Sequence, residues 1–278
     1  MTVLEKFTLG KNGDPEGGED HIEITDAFYG VFDGVTSRGR AVTENLRIEG
    51  MTPGRWASRT LGASLRSLAT DSTAEAALEH LRTALYDGML RNDVDPVAWQ
   101  WPAAAQTCVY SHARKEIWRL GDVIIAVNGT PLPESPTPLD GPATWYRAAA
   151  LWALLAAGHS VDELRENDPT WEMLLPLLEL QHHLRNCPDD TNPFAYWNLD
   201  GRHLPGSAMG VYEVQAGDEV VVITDGYLRP AAALDVAERE LVQVLCEDPL
   251  LIRLHRGFRP VARTAASFDD RAYLRFRA

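Results

Sequence analysis

Two Asp-Gly pairs stand out because each follows an apolar run typical of a buried β-strand. Asp33-Gly34 follows the run Phe28 to Phe32, and Asp225-Gly226 follows the run Val220 to Thr224. Each pair predicts a carboxylate at the end of a buried strand, beside a glycine that permits a positive φ and leaves its carbonyl open to a cation. Asp-Gly is also a common turn sequence, so a plain turn is the alternative for either pair alone.

Further acidic pairs precede two other predicted strands. Glu19-Asp20 lies before the strand that begins at His21, and Asp269-Asp270 lies before the last strand of the chain. Carboxylates are therefore expected at the ends of several strands, and hard oxygen ligands of this kind suit Mg²⁺ or Mn²⁺ better than zinc. The alternatives are a solvated turn for Asp269-Asp270 and an acidic loop for Glu19-Asp20. His21 is expected to face away from the ligands, because neighbouring side chains on a strand point to opposite faces.

The composition limits the class of partner. The chain has 40 acidic and 26 basic residues and a net charge of −14, which disfavours binding to nucleic acid. The longest apolar stretch, Ala148 to Ala157, is too short to cross a bilayer, and the opening residues lack the pattern of a signal peptide. We therefore expect a cytoplasmic protein without a membrane or nucleic-acid partner.

The hydrophobic periodicity predicts groups of strands and groups of helices. Strands are predicted at 21–25, 27–32, 105–111, 116–120, 123–127, 210–214, 219–224 and 272–276, the third to fifth forming a meander. Helices are predicted near 57–68, 74–89, 145–157, 161–185 and 234–245, with a capping box at 72–75. Because no βαβ alternation dominates, the pattern favours an α+β fold: a central antiparallel β-sandwich flanked by pairs of helices. We expect a single domain, residues 1–278, with a helical insertion at about 143–186.

Six short motifs, taken in order, resemble the metal-dependent (type 2C, PPM) protein serine/threonine phosphatases. They are Glu19-Asp20, Val31-Phe32-Asp33-Gly34, Gln106-Thr107-Cys108-Val109, Leu120-Gly121-Asp122, Ile223-Thr224-Asp225-Gly226 and Asp269-Asp270. The resemblance covers nearly the whole chain and is that of a divergent, bacterial-type member. It implies a β-sandwich flanked by helices, two Mn²⁺ or Mg²⁺ ions with a third left open, and attack on phosphorus by the water between the ions.

The resemblance also implies roles for individual residues. Asp33 resembles the carboxylate that bridges both ions, and Gly34 the residue that lends a backbone carbonyl. Glu19 resembles a ligand of the second ion, whereas Asp225 and Asp269 resemble ligands of the first. The implied metal-ligand set is therefore Glu19, Asp20 (through bound water), Asp33, Gly34, Asp225 and Asp269.

The chain departs from the family pattern at several positions. The first Asp-Gly is followed by Val35, so no histidine is available there as a general acid. The arginine that usually grips substrate phosphate before the Glu-Asp pair is absent, and Lys11 is the candidate for this catalytic role, with a solvated loop lysine as the alternative. The family's final Asp-Asn is Asp269-Asp270 here, so Asp270 competes with Asp269 as the ligand. Asp122, followed by valine, is assigned to turn chemistry more than to metal binding.

The leading hypothesis is hydrolysis of phosphoserine or phosphothreonine monoesters by a metal-activated water, with a phosphoprotein as the partner. A catalytically weak regulatory or binding relative is one alternative. A metal enzyme acting on a small phosphorylated metabolite is another, because the helical insertion could cap the site. The insertion's Trp145, Trp152 and Trp171 are expected to be core residues rather than a substrate platform.

Overall fold

Two antiparallel five-stranded sheets form the centre of the fold. The structure, a computed structural model, describes residues 2–36, 46–96, 103–189 and 191–278. The strands are β1 (Thr2–Leu9), β2 (His21–Ile24), β3 (Phe28–Gly34), β4 (Ala105–Ser111), β5 (Glu116–Leu120), β6 (Ile124–Val127), β7 (Thr130–Pro131), β8 (Gly210–Glu213), β9 (Glu219–Ile223) and β10 (Arg271–Arg277). The first sheet has the order β1-β10-β9-β6-β7, and the second has the order β2-β3-β4-β5-β8.

Helices cover the outer faces of both sheets. They are α1 (Pro53–Ser64), α2 (Ala74–Arg91), α3 (Asp140–Ala156), α4 (Val161–Glu166), α5 (Thr170–Gln181) and α6 (Leu234–Glu247). The pair α1 and α2 packs on the second sheet, whereas α6 packs on the first. The predicted α+β class, an antiparallel sandwich flanked by helices, is confirmed.

Strict alternation of side chains explains why the central strands are apolar on both faces. On β3, Tyr29 and Val31 point between the sheets, while Phe28 and Phe32 pack against α1 and α2. The run 220–223 in β9 divides in the same way, since alternate residues face the other sheet and α6. A strand buried on both faces reads as a continuous apolar run, and only its end can carry a charge at low cost.

Three local expectations from the sequence are wrong. No strand was expected at β1, whose residues are mostly half-buried beside β10. The three-stranded meander is also wrong, because the chain crosses to the other sheet after β5 and β6 pairs with β9. Gly121 makes this crossing with φ +89, a conformation that favours glycine. At the start of α2, the cap is Thr73, whose hydroxyl accepts a hydrogen bond from Ala76 N, instead of a box opened by Ser72.

The helical insertion, α3 to α5, is fixed to the C-terminal part of the chain by a buried arginine. Arg147 on α3 is fully buried and donates to Asp168 Oδ2 at 2.8 and 3.0 Å. Its remaining donors reach the backbone carbonyls of Leu250 at 2.8 Å and Gly257 at 3.0 Å. The insertion begins a few residues before the expected boundary, and Ser160 and Glu163 form a capping box at the start of α4. Within the described ranges, no helix combines the length and apolar character needed to cross a bilayer.

Replacing Arg147 with alanine should destabilise the fold. Asp168 would remain buried without its counter-charge, and the carbonyls of Leu250, Leu251 and Gly257 would lose a donor, which together cost roughly 3–5 kcal/mol. Chemical denaturation measures this loss. Arg239→Ala is the matched control, because its pair with Asp235 is exposed on α6 and exposed pairs contribute little. Equal losses in the two variants would show that the buried pair does not fix the insertion.

Candidate functional site

Acidic side chains from both sheets line one small cavity at one end of the sandwich. They are Asp20, Asp33, Asp122, Asp140, Asp225, Asp269 and Asp270, and we call this space the acidic cavity. Its volume of about 80 Å³ is roughly that of two or three water molecules at about 30 Å³ each. The space therefore suits ions and a few oxygen atoms rather than a whole substrate. Four of the six predicted ligands contribute to this lining through their carboxylates, Asp20, Asp33, Asp225 and Asp269, and Gly34 lies beside them.

The strand pattern places Asp33 and Asp225 at this cavity. Asp33 follows Tyr29 and Val31 at a spacing of two, on the face of β3 that looks towards the other sheet. Asp225 lies two residues after the end of β9, and the residue between them, Thr224, is buried. Two strands from different sheets thus end at the same place.

The two glycines serve close packing, which differs from the expectation of a positive φ. Neither Gly34 nor Gly226 is among the residues with positive φ in the described chain. A Cβ on Gly34 would lie 2.5 Å from the carbonyl oxygen of Gly54, at the start of α1. A Cβ on Gly226 would lie 2.0 Å from the carbonyl oxygen of Asp270. Glycine is required because backbone approaches backbone.

Burial and mutual repulsion change the protonation of the carboxyl groups. Burial, followed by the charges of Asp225 and Asp20, raises the pKa of Asp33 well above its ordinary value. Burial also raises the pKa of Asp20, although a hydrogen bond from Thr224 opposes the shift. The pKa of Asp122 rises to about 7 through burial and the nearby charge of Asp140. Such groups favour a nearby cation, because a positive charge stabilises their ionised form.

Glu19 lies beside the acidic cavity and is held by hydroxyl groups. Thr52 donates to Oε1 at 2.5 Å, and Thr36 donates to Oε2 at 2.6 Å. The side chain is buried, and burial raises its pKa. Glu19 is absent from the described lining of the cavity, so its assignment as a ligand of a second ion stays a prediction.

Asp269 and Asp270 have different environments. Asp270 is buried, and its two oxygens accept the backbone N–H groups of Lys11 at 2.7 Å and Glu19 at 2.9 Å. Asp269 is partly exposed, lines the cavity and pairs with Lys11 Nζ at 3.3 Å. Asp270 therefore clamps the loop between β1 and β2, and Asp269 is the acid better placed to hold a cation.

Lys11 lies beside the acidic cavity, where its amine pairs with the lining residue Asp269. Burial lowers its pKa, but the charges of Asp269, Asp270 and Glu19 outweigh this and raise it, so the amine stays protonated. His21, by contrast, bonds to Glu23 at 3.2 Å and lies against Gly62 of α1, which agrees with the expectation that it faces away.

Several cavity residues were not predicted from the sequence. Asp122, assigned to turn chemistry, points into the acidic cavity because the crossing at Gly121 brings the end of β5 there. The insertion reaches the same space with Gln181 and His182, and Gln181 Nε2 donates to Asp140 at 2.9 Å. A predicted strand that ends in Gly-Asp was the signal for Asp122. Nothing in the local sequence of α5 indicates its contribution.

The donor set of the acidic cavity fits a hard divalent cation. Carboxylate oxygens are the ligands that Mg²⁺ and Mn²⁺ prefer, and the cavity has several of them with one lysine at the rim. Within the part of the chain that the structure describes, no three acidic, histidine or cysteine side chains are gathered into a finished coordination sphere. Carboxylates of like charge repel one another, so a cation would have to draw them together.

A larger space, which we call the outer cavity, adjoins the acidic cavity and has a volume of about 730 Å³. The two cavities share six lining residues: Thr36, Asp122, Thr137, Asp140, Asp225 and Asp269. The lining of the outer cavity also contains Trp171 of the insertion and the segment 255–260. The insertion thus borders the site, as a cap would. The expectation that all three of its tryptophans are core residues is wrong, because Trp145 is 60% exposed and Trp152 is 51% exposed.

Comparisons with known proteins find solved structures that are similar to this chain at low sequence identity. No family model matches the chain, and no curated protein matches it. The serine/threonine phosphatase PstP/Ppp of Mycobacterium tuberculosis is 12% identical, with 99% of this chain and 98% of that chain covered and a TM-score of 0.49. The PstP catalytic domain with two manganese ions gives 12% identity, coverage of 99% and 98%, and a TM-score of 0.48.

A third solved structure is PppA, described as a regulatory component of the type VI secretion system in Pseudomonas aeruginosa. It is 15% identical, both chains are fully covered, and the TM-score is 0.43.

Gly34→Ala should destabilise the protein. The new methyl group would lie 2.5 Å from the Gly54 oxygen and 2.6 Å from the Glu19 oxygen, and neither backbone can yield easily. We expect a loss of about 1–3 kcal/mol, typical of overpacking, measured by denaturant unfolding. Gly206→Ala, where a Cβ would meet nothing within 4 Å, is the control and should be nearly neutral. A neutral Gly34→Ala would contradict the close-packing explanation.

Asn substitutions should separate Asp269 from Asp270. Asp270→Asn loses one of two charge-assisted acceptors and should reduce stability by about 1.5–3 kcal/mol. Asp269→Asn should leave the free energy of unfolding nearly unchanged but weaken the stabilisation that Mn²⁺ provides. Thermal unfolding with and without Mn²⁺ measures both effects. The reverse result, with Asp269 needed for stability and Asp270 for the Mn²⁺ effect, would exchange the two assignments.

Proposed function

We propose that this chain is a metal-dependent phosphoric monoester hydrolase that acts on phosphoserine or phosphothreonine. The observation that carries the proposal is the convergence of carboxylates from both sheets on the acidic cavity, which opens beside Lys11 into a larger space. A cluster of acids alone would repel a phosphate, so the cavity needs cations before it can accept one. A site that combines cations with a shaped space beside them is suited to phosphoryl chemistry.

Asp33, Asp225 and Asp269 would hold Mn²⁺ or Mg²⁺, with Asp20 acting through water and Gly34 and Glu19 completing the set for a second ion. When bound, such ions supply an activated water as nucleophile and neutralise the charge on the phosphoryl oxygens. The proposal requires two ions and does not depend on a third.

The chain's own residues orient the site. Thr224 donates to Asp20 Oδ2 at 2.6 Å and accepts from the backbone N–H of Ala272 at 2.8 Å, so the Asp20 carboxylate is fixed relative to the first sheet. The Lys11 amine, held near the rim by Asp269, offers a positive charge to an entering phosphate. If Asp269 held a cation, the Lys11 amine would be available to the substrate phosphate.

The leaving alkoxide must gain a proton, and no histidine follows Asp33-Gly34 to supply it. A leaving group that needs little assistance, such as an aryl oxide, is therefore expected to react more readily than a serine or threonine alkoxide. The ratio of the rates for an aryl phosphate and a phosphothreonine peptide therefore measures how well the site protonates the leaving group.

Asp33→Asn and Asp225→Asn should each reduce Mn²⁺-dependent kcat/KM by at least about 100-fold. The factor is a lower bound, because loss of a residue that only supports a metal ligand already costs 10–100-fold. The assay uses an aryl phosphate and a phosphothreonine peptide, and Asp71→Asn, an exposed acid away from both cavities, is the control.

A second readout is independent of turnover. Mn²⁺ should raise the unfolding temperature of the wild type, and Asp33→Asn should remove most of this shift while stabilising the metal-free protein, because a buried repelling carboxylate is gone. If Mn²⁺ neither stabilises the wild type nor supports hydrolysis, the proposal is wrong. Stabilisation without hydrolysis would favour a regulatory relative, and hydrolysis of the aryl phosphate alone would favour a small phosphorylated substrate.

A further inference from the structure

Two arginines that line the outer cavity are stacked on tryptophans of the insertion. The guanidinium of Arg256 lies 3.9 Å from the ring centre of Trp145 on α3. The guanidinium of Arg259 lies 3.5 Å from the ring centre of Trp171 on α5. Both arginines line the outer cavity. The same arrangement thus occurs twice on one wall, three residues apart in the chain.

Hydrogen bonds from a buried carboxylate and a buried guanidinium fix the backbone of the segment that carries these arginines. The buried carboxylate of Asp248 accepts the backbone N–H groups of Arg253 and Leu254, each at 2.7 Å, and lies within 3.4 Å of His255 N. Arg147, from α3, donates to the carbonyl of Gly257. Because the backbone is fixed on both sides of Arg256, the guanidinium groups are presented at defined positions rather than on a loose surface loop.

Stacking determines which part of each guanidinium can meet a ligand. An aromatic ring covers the flat face, whereas the N–H donors project from the edge and match the two oxygens of a carboxylate or phosphate. Stacking also removes rotamer freedom from a long side chain before any ligand arrives, which lowers the entropic cost of binding. Two preorganised forks of this kind are a binding feature for anions.

The position of the pair relates it to the acidic cavity. The outer cavity is lined by Arg256 and Arg259 and also by Asp225 and Asp269, which it shares with the acidic cavity. Its volume of about 730 Å³ lies in the range of about 300–1,000 Å³ of spaces that enclose whole ligands, far beyond one phosphate group. In a chain of net charge −14, a local pair of cations beside the site also offsets the repulsion that an acidic substrate would meet.

We propose that Arg256 and Arg259 bind acidic side chains that flank the phosphorylated residue of a phosphoprotein substrate. This inference rests on the proposed function, since it names the class of substrate that the same site selects. The two arginines set specificity and leave the reacting atoms to the acidic cavity. They provide, from another part of the chain, an anion contact that the loop before Glu19 lacks apart from Lys11.

The first test compares three substrates with the wild type and the Arg256→Ala/Arg259→Ala double variant. They are an aryl phosphate, a phosphothreonine peptide followed by three aspartates, and the same peptide with three asparagines. The double variant should raise KM for the acidic peptide about tenfold or more, because charge-assisted hydrogen bonds are lost. Its kcat/KM for the aryl phosphate should change less than about twofold, since that substrate has no flanking carboxylates for the arginines to bind.

Arg253→Ala is the matched control, because Arg253 is an exposed arginine of the same segment that does not line the outer cavity. This variant should behave like the wild type with all three substrates. Arg256→Lys/Arg259→Lys should recover only part of the affinity for the acidic peptide, because lysine keeps the charge but not the planar fork. Equal effects of the double alanine variant on the acidic and the neutral peptide would overturn the inference.

A binding measurement separates failure of this inference from failure of the proposed function. Fluorescence anisotropy is carried out with Mn²⁺ and with labelled acidic and neutral peptides that carry a non-hydrolysable phosphonate in place of the phosphothreonine, with and without the arginine substitutions. Tenfold weaker binding of the acidic peptide alone supports the arginine site even if no hydrolysis is ever found in the wild type. Binding that does not depend on the arginines overturns it even if the wild type is an active phosphatase.

Discussion

The repulsion between carboxylates at one end of the sandwich is the constraint on which the site depends. Asp33 comes from one sheet and Asp225 from the other, and burial together with their mutual charge raises the pKa of Asp33. Such an arrangement is unfavourable on its own, and it persists only because the apolar layer between the sheets brings the two strand ends together. A cation bound between these carboxylates would offset their repulsion and stabilise the folded state.

The loop between β1 and β2 closes the same end of the sandwich. Asp270 accepts the backbone N–H groups of Lys11 and Glu19, which lie at the two ends of this loop. Gly10 and Gly18 approach so closely that a Cβ on Gly18 would lie 3.1 Å from the Cα of Gly10. These bonds join β10 of one sheet to the entry of β2 in the other. They also set the positions of Lys11 and Asp20, so the closure of the sandwich and the shape of the site have one cause.

The sequence predicts what depends on neighbouring residues and fails where distant segments meet. An apolar run that ends in a charge is a local pattern, so Asp33 and Asp225 could be identified, together with nearly all strands and helices. The close approach of Gly34 to Gly54 involves segments distant in sequence. The prediction that Gly34 is needed for a positive φ was therefore wrong. Asp122 was undervalued in the same way, because only the crossing of the chain to the other sheet brings it to the cavity.

The insertion shows a similar limit, and it also explains how specificity can be separate from chemistry. Its tryptophans were expected in a core because large aromatic side chains usually bury most of their area. Trp145 instead remains exposed and carries Arg256 on its face. The insertion contacts the segment 248–260 through the hydrogen bonds of Arg147 and through the two arginine–tryptophan pairs. These contacts are separate from the bonds of Asp270 that join the two sheets. Changes in this outer wall can therefore alter which anion is bound while the carboxylates at the strand ends stay in place.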